Sequence, residues 1–398
     1  MKRRNFTQAF ALGAGAAALH QGNGATAAEE GKPRKVPAIK PKELEKLVTV
    51  EDFVPIAKKN LPKATFDYIT TGSEAEVTLN ENRRAFEKIQ FMPPILHGIS
   101  QANLGTTVLK QPISVPVILA PVAGQQMFHT DGGRAAARAA GAMGTIYGVS
   151  SSVGNTPEEI AQAAKGPLWF QIYMPKERTV ARQLIKRVEK SGYKAIILTV
   201  DLGERKDQDL RNGFALPKDM LYDHLKGVGF DVRKSMSYDE LSKFNAQAWD
   251  LWLSWDVIKW VRSVTNLPII LKGVLAANDA KKAVSLGVDA IVVSNHGGRR
   301  LDGVPASIAM LDNVVKAVGQ KAEVYLDSGV RRGSDVFKAL ARGAKAVLVG
   351  RAYAWALAAG GEPAVKRAIQ ILREQLELTM VSSGCSNVSQ ITPELLLN

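Results

Sequence analysis

The chain has 398 residues, a formal charge of +14 and one cysteine, Cys385. A lone thiol excludes an intramolecular disulfide framework and every multi-cysteine metal or iron–sulfur site, and no CxxCH is present to attach a haem, so redox chemistry needs a bound organic cofactor. The basic residues are scattered, without the aromatic-interleaved basic stretch that argues for nucleic acid; a solubility surface, steering of small anions or weak attraction to anionic surfaces remain.

The chain begins "MKRRNFTQAFALGAGAAALHQGNGATAAEE". Lys2, Arg3 and Arg4 supply three of the positive charges and no acid precedes Glu29, so the remainder carries +11. A basic start, a weakly apolar run at 9–19 and the small-residue site "ATAA" have the layout of a secretory signal. Arg3, Arg4 and Phe6 fit the twin-arginine pattern, although Lys2 stands where Ser or Thr is usual. The run is too short for the roughly 20 residues of a membrane span. Residues 1–28 therefore read as a twin-arginine-type signal, cut near Ala27 or Ala28, for a periplasmic or exported protein. Residues 29–43, rich in lysine and proline, read as a flexible lead-in.

From 44 to 110 the sequence is helical and amphipathic, with turns at "TTGSE" and "MPPI". Short apolar runs then recur: 116–121, 144–150, 168–174, 195–201, 268–273, 290–295, 323–328 and 346–351. Near-continuous β-branched runs suit strands buried on both faces. Helical segments lie between them, at 131–142, 157–165, 178–191, 278–286, 309–318 and 334–342. This alternation predicts an α/β fold, a (β/α)₈ TIM barrel over about 116–384 with an N-terminal helical extension. The long insertion after strand four, about 202–262, should form a lid or substrate loop. Its Trp249, Trp252, Trp255 and Trp260 are spaced for helix packing rather than for a binding stripe.

Chemistry in such barrels sits at the strand C-termini. Those ends carry Val122, Ala123 and Gly124, then Ser150, Gln171 and Tyr173, Thr199 and Asp201, Lys272, Ser294 and His296, Asp327, and Gly350 and Arg351. "DSGVRRG" at 327–333 and "LVGRA" at 348–352 close strands seven and eight, where barrels commonly seat a phosphate on backbone N–H groups, arginine and a helix N-terminus. Lys272 points to the same mouth and is costly to bury without an anion. A carboxylate such as Asp201 beside His296 would stabilise the imidazolium formed when the ring takes a proton.

"LPKATFDYITTGSE", "LAPVAGQ", "WFQIYM", "LTVD", "LPIILKGV", "VSNHGGRRLDGVPAS", "LDSGVRRGSDVFKALARGA" and "ELTMVSSG" occur in this order. With them the chain, from about 44 to 392, resembles the FMN-dependent L-2-hydroxy acid oxidases and dehydrogenases, the family of glycolate oxidase, lactate oxidase, lactate monooxygenase and mandelate dehydrogenase. The resemblance implies FMN as cofactor. It also implies His296 as the base for the substrate hydroxyl, Asp201 as its orienting partner, and Tyr173 beside that hydroxyl. Tyr68 and Arg299 would hold the substrate carboxylate. Lys272 would sit near the flavin N1. Ser150, Gln171, Thr199 and Ser294 would hydrogen-bond the flavin, with Val122 and Ala123 packed near it. Asp327, Gly329, Arg331, Gly350 and Arg351 would hold ribityl and phosphate. Relatives are commonly tetramers.

Three departures stand out. The turn after "LTVD" is short and places Lys206, with Arg205 beside it, where the family has a second substrate arginine; lysine lacks the bidentate fork. Gly124 replaces a larger side chain and hints at a substrate bulkier than glycolate. "HGGRR" replaces the usual "HGARQ". An L-2-hydroxy acid oxidase producing hydrogen peroxide is the favoured expectation. A quinone- or carrier-linked dehydrogenase and a lactate-type monooxygenase stay open, although residues 214–245 are too charged for the apolar segment of membrane-bound relatives. From another class comes a barrel that binds a phosphorylated ligand without turning it over.

Overall fold

The eight apolar runs form eight parallel strands: β1 Val117–Leu119, β2 Tyr147–Ser150, β3 Leu168–Ile172, β4 Ala195–Thr199, β5 Ile269–Val274, β6 Ala290–Val293, β7 Glu323–Leu326 and β8 Ala346–Val349. Each pairs with its neighbour, and β8 pairs with β1, so the sheet closes into a barrel. The computed structural model describes residues 34–202, 223–225 and 248–397. The signal assigned to 1–28, together with Arg205 and Lys206, lies outside the described residues.

Side-chain alternation explains the interior. Ile118, Trp169, Ile197, Ile270, Val292, Tyr325 and Leu348, one from each of seven strands, form a single buried cluster. Trp169 of β3 and Tyr325 of β7, far apart around the barrel, stand with ring centroids 5.6 Å apart, so they meet across its centre. Val108 and Ile113, from the hairpin Thr106–Val108/Gln111–Ile113, join this cluster and plug one end. The alternate strand residues face outward onto the helices.

Among the described residues, a short helix, Pro41–Leu44, and three longer ones, α1 Phe53–Asn60, α2 Lys63–Thr70 and α3 Val77–Lys88, precede the barrel. Among the described residues, the helices between strands are the short Gln125–Phe128 and then α4 Gly132–Ala142, α5 Pro157–Ala163, α6 Arg178–Lys190, α7 Asp256–Val264, α8 Ala277–Ser285, α9 Ser307–Val318 and α10 Gly333–Ala341. α5 carries a capping box, with the Thr156 side chain accepting from the Glu159 N–H, which satisfies donors the first turn leaves open. α11, Arg351–Ser382, is kinked at Gly360–Gly361 and buries much of its length against α4 and α10.

Two expectations change. Residues 34–43 are not a loose lead-in throughout: Arg34 exchanges backbone hydrogen bonds with Gln126 and Thr130, and Ile39 packs against the core beside the α11 kink. The tryptophans do not pack as one helical set. Trp260 alone lies within α7 and Trp255 stands at its N-cap, Trp252 is 85% exposed, and Trp249 is buried in a stack against His224. The chain between them is irregular, so helical spacing does not govern it.

Candidate active site

The inward files turn polar one step past the core. Two residues beyond Trp169 comes Gln171, beyond Ile197 Thr199, beyond Ile270 Lys272, beyond Val292 Ser294, and beyond Tyr325 Asp327. Strand period two points each pair to the same side. Register does the rest: Ser150 lies opposite Gln171, and Thr199 opposite Lys272. One end of the barrel thus carries a ring of polar groups over an apolar floor.

These groups bond to one another. The Gln171 Oε1 accepts from the Ser151 N–H at 3.2 Å and the Ser150 hydroxyl at 3.4 Å, while its Nε2 donates to Thr199 Oγ1 at 3.1 Å. Lys272 is 4% exposed. Its Nζ lies 3.2 Å from Asp327 Oδ2 and donates to Ser294 Oγ at 3.2 Å. Burial pushes the ammonium down, but the carboxylates of Asp327 and Asp201 more than reverse this, and Lys272 stays charged.

His296 follows β6 in a left-handed turn, with φ 59° at His296, 69° at Gly297 and 71° at Gly298. Gly298 has no alternative: a Cβ there would stand 2.6 Å from the Leu79 backbone nitrogen, and its left-handed backbone disfavours a side chain. Ser328 clamps the turn, its Oγ accepting from the Gly297 N–H at 2.9 Å and donating to Asp327 Oδ1 at 2.6 Å. Asn295 and Asn82 form a reciprocal buried amide pair at 2.8 and 2.9 Å. Ser328 and Asn295 lie within quoted motifs but, like Asn82, carry no charge and were given no role, so sequence reasoning missed them. For Ser328 the signal was a non-glycine residue inside a glycine turn, where its φ is 76°.

The imidazole meets Asp201 through Nδ1, at 3.0 and 3.1 Å from the two carboxylate oxygens. Burial, aided by the charges of Lys272 and Arg300, pushes His296 down to about 4 despite the opposing pull of Asp201. Burial pushes the Asp201 carboxyl up, but His296 and Lys272 bring it below the ordinary value. At neutral pH the pair is thus a carboxylate and a neutral ring with Nε2 available to a substrate, an arrangement suited to taking a proton.

The two arginines of "HGGRR" diverge. Arg299 gives Nη1 to the carbonyls of Tyr68 and Thr71, at 2.5 and 3.1 Å, with its guanidinium 4.7 Å from the Tyr68 ring centroid. Arg300 turns instead to Tyr173, donating from Nη2 to its hydroxyl at 3.3 Å. Gly124 caps the short helix Gln125–Phe128 with φ 69°. Its backbone therefore supplies a reason for glycine besides substrate room.

On the phosphate side Arg331 is buried, 4.9 Å from the Trp355 ring centroid. Burial and the neighbouring charge of Arg83 push its guanidinium down to about 10, as fits a cation set to receive an anion. It lies in the turn after Gly329, just before α10. The Arg351 side chain, expected at the phosphate from sequence, donates to the carbonyls of Ile69, Gly297 and Thr71 at 2.8–2.9 Å. Its backbone N–H, following Gly350 at the start of α11, remains suited to an anion. A charged lysine among neutral donors, and a buried guanidinium between two helix N-termini, are the chemistry a flavin ring and a phosphate need, so these residues fit FMN. Among the described residues no cluster of histidines, cysteines and acids suits a metal, and no helix is long and apolar enough to cross a membrane.

The sequence profile of the FMN-dependent dehydrogenases matches residues 57–398. Glycolate oxidase 3 of Arabidopsis thaliana is 46% identical over 349 residues, covering 87% of this chain and 95% of the relative. The glycolate oxidase of Spinacia oleracea is 44% identical over 349 residues, covering 87% and 94%. A crystal structure of mandelate oxidase with (S)-4-hydroxymandelic acid superposes with a TM-score of 0.80 at 36% identity, over 88% of this chain and 98% of that one. A barrel whose mouth suits FMN, matched along most of its length by these enzymes, makes this chain a member of the FMN-dependent dehydrogenase family, an enzyme of the 2-hydroxy acid oxidase class with FMN as its cofactor.

Proposed function

We propose that the protein oxidises an L-2-hydroxy acid, lactate-like or bulkier, to the 2-oxo acid. FMN, when bound, supplies the acceptor for the hydride that leaves the α-carbon. His296 takes the hydroxyl proton at Nε2, so the C–H and O–H bonds break as C=O forms. Asp201, fixed on Nδ1, orients the ring and stabilises the imidazolium. Tyr68 and Arg299 hold the substrate carboxylate. Tyr173 lies beside the hydroxyl. Lys272 would supply the positive charge that stabilises negative charge on a bound, reduced flavin. Gln171, Ser150, Thr199 and Ser294 hold the ring. Asp327, Gly329, Arg331, Gly350 and Arg351 hold ribityl and phosphate, the last through its backbone.

The observation that carries this reading is the neutral His296 held by Asp201 beside a charged, buried Lys272. Reoxidation by O2 would yield hydrogen peroxide, as the oxidase names of the relatives suggest. The residues at 1–28 support export in folded, FMN-loaded form, and the family resemblance supports a homo-oligomer. Anaerobic mixing of the yellow protein with a panel of L-2-hydroxy acids tests the reaction. Bleaching of the flavin by one acid is expected, with rapid return of colour in air. Slow return would mark a dehydrogenase, and a flavin that no acid bleaches would remove the proposed activity.

A further inference from the structure

Two hydroxyls meet the turn that carries His296, and both lead back to Lys272. Ser294 Oγ accepts from the His296 N–H at 3.0 Å and from Lys272 Nζ at 3.2 Å. Ser328 Oγ accepts from the N–H groups on either side, Asn295 at 3.4 Å and Gly297 at 2.9 Å. It donates at 2.6 Å to Asp327 Oδ1, while Asp327 Oδ2 lies 3.2 Å from Lys272 Nζ. A hydroxyl has one proton to give and two lone pairs to receive with, so the bonding of Ser328 is complete. Its backbone is a second observation: φ is 76°, in the left-handed region that favours glycine. A side chain persists in such a conformation where its surroundings hold it there. Ser307 does so from behind, its hydroxyl donating to the carbonyls of Asp327 and Ser328.

We infer that Ser328 is a positioning residue for the oxidation: it ties the turn of the proton-accepting His296 to the Lys272–Asp327 pair, so that the base and the flavin-side charge keep a fixed separation. This rests on the hydroxy acid reading above and deepens it. Without the hydroxyl, the Asn295 and Gly297 N–H groups lose this acceptor. The backbone of His296, itself left-handed at φ 59°, then keeps Ser294 but not its tie to Asp327. A base displaced by a fraction of an ångström takes the proton less well, while a substrate carboxylate held by other residues binds as before.

The test uses FMN-loaded S328G and S328A. Glycine takes the left-handed backbone without strain and alanine keeps the strain. Both lack the hydroxyl, so the pair separates bonding from backbone shape, and S328A carries the test if S328G does not retain FMN. Each should slow anaerobic flavin reduction at saturating hydroxy acid by about tenfold, the scale of one hydrogen bond expressed as a rate, with the apparent Kd for the acid little changed. A second readout is independent of turnover: titration of the His296 imidazole by NMR, its resonance identified with H296N. Burial, with Lys272 and Arg300, holds that ring down to about 4 against the pull of Asp201. Freed from its place, the ring should titrate higher, toward the ordinary 6.5. A wild-type reduction rate in S328G, or a loss in S328A that S328G restores, would overturn the inference, because the serine would then serve the backbone alone. So would slow reduction with an unmoved titration. If no hydroxy acid bleaches the wild type, the proposed function fails, and the titration still decides the role of Ser328.

Discussion

Replacing His296 by Asn is expected to lower kcat/KM for the hydroxy acid by on the order of 10²–10⁴-fold, the contribution of a positioned general base, with FMN still bound. The ring contacts the rest of the protein through Nδ1 to Asp201 and its backbone N–H to Ser294 Oγ, so asparagine removes the base while the turn around Ser328 keeps its shape. Stopped-flow reduction of the flavin, alongside the flavin spectrum, checks it; a variant that is reduced at wild-type rate would remove His296 from the reaction. The pH dependence has a definite sign. The folded-state value of His296 is pushed down to about 4 from the ordinary 6.5. The neutral base is therefore present above pH 4, and kcat/KM should fall only as pH drops through that value. For stability the sign is related: between 6.5 and 4 the unfolded chain binds a proton that the native ring refuses, so this group costs stability as pH falls.

The second large effect is expected at Lys272. Changing it to Met leaves Asp327 buried without its cation, and breaking a buried pair from one side typically costs about 3–5 kcal/mol. The same change removes the positive charge that the reduced ring needs, which should slow reduction by on the order of 10²–10³-fold. The double variant K272M/D327N separates the two consequences. It should recover most of the thermal stability while reduction, measured at saturating FMN, stays slow. Recovery of both together would reduce Lys272 to a structural counter-ion.

Much of this was legible in the sequence because the barrel repeats one rule. Apolar files of period two run into polar residues at the strand ends, and Gln171, Thr199, Lys272, Ser294 and Asp327 could be placed from that pattern before any coordinates. His296 and Asp201 followed from lying just beyond the ends of β6 and β4, on either side of β5. Legibility stopped where side-chain direction depends on left-handed backbone. After His296, Gly297 and Gly298 the facing of Arg299 and Arg300 has no sequence period, and only the structure separates them. The direction of the Arg351 side chain was equally illegible, because the carbonyls that accept from it include Ile69 and Thr71 at the C-terminal end of α2, distant in sequence. Docking of residues 34–43 was equally invisible, because polar composition hides the few apolar contacts that Ile39 makes.

The most direct measurement is single-turnover bleaching of the flavin by the preferred hydroxy acid, at saturating concentration and without oxygen, with hydrogen or deuterium on the α-carbon. Hydride transfer assisted by His296 predicts complete bleaching by both, several-fold slower with deuterium. Equal rates would place the limiting step elsewhere than the α C–H bond, and absence of bleaching by either would contradict the reaction altogether.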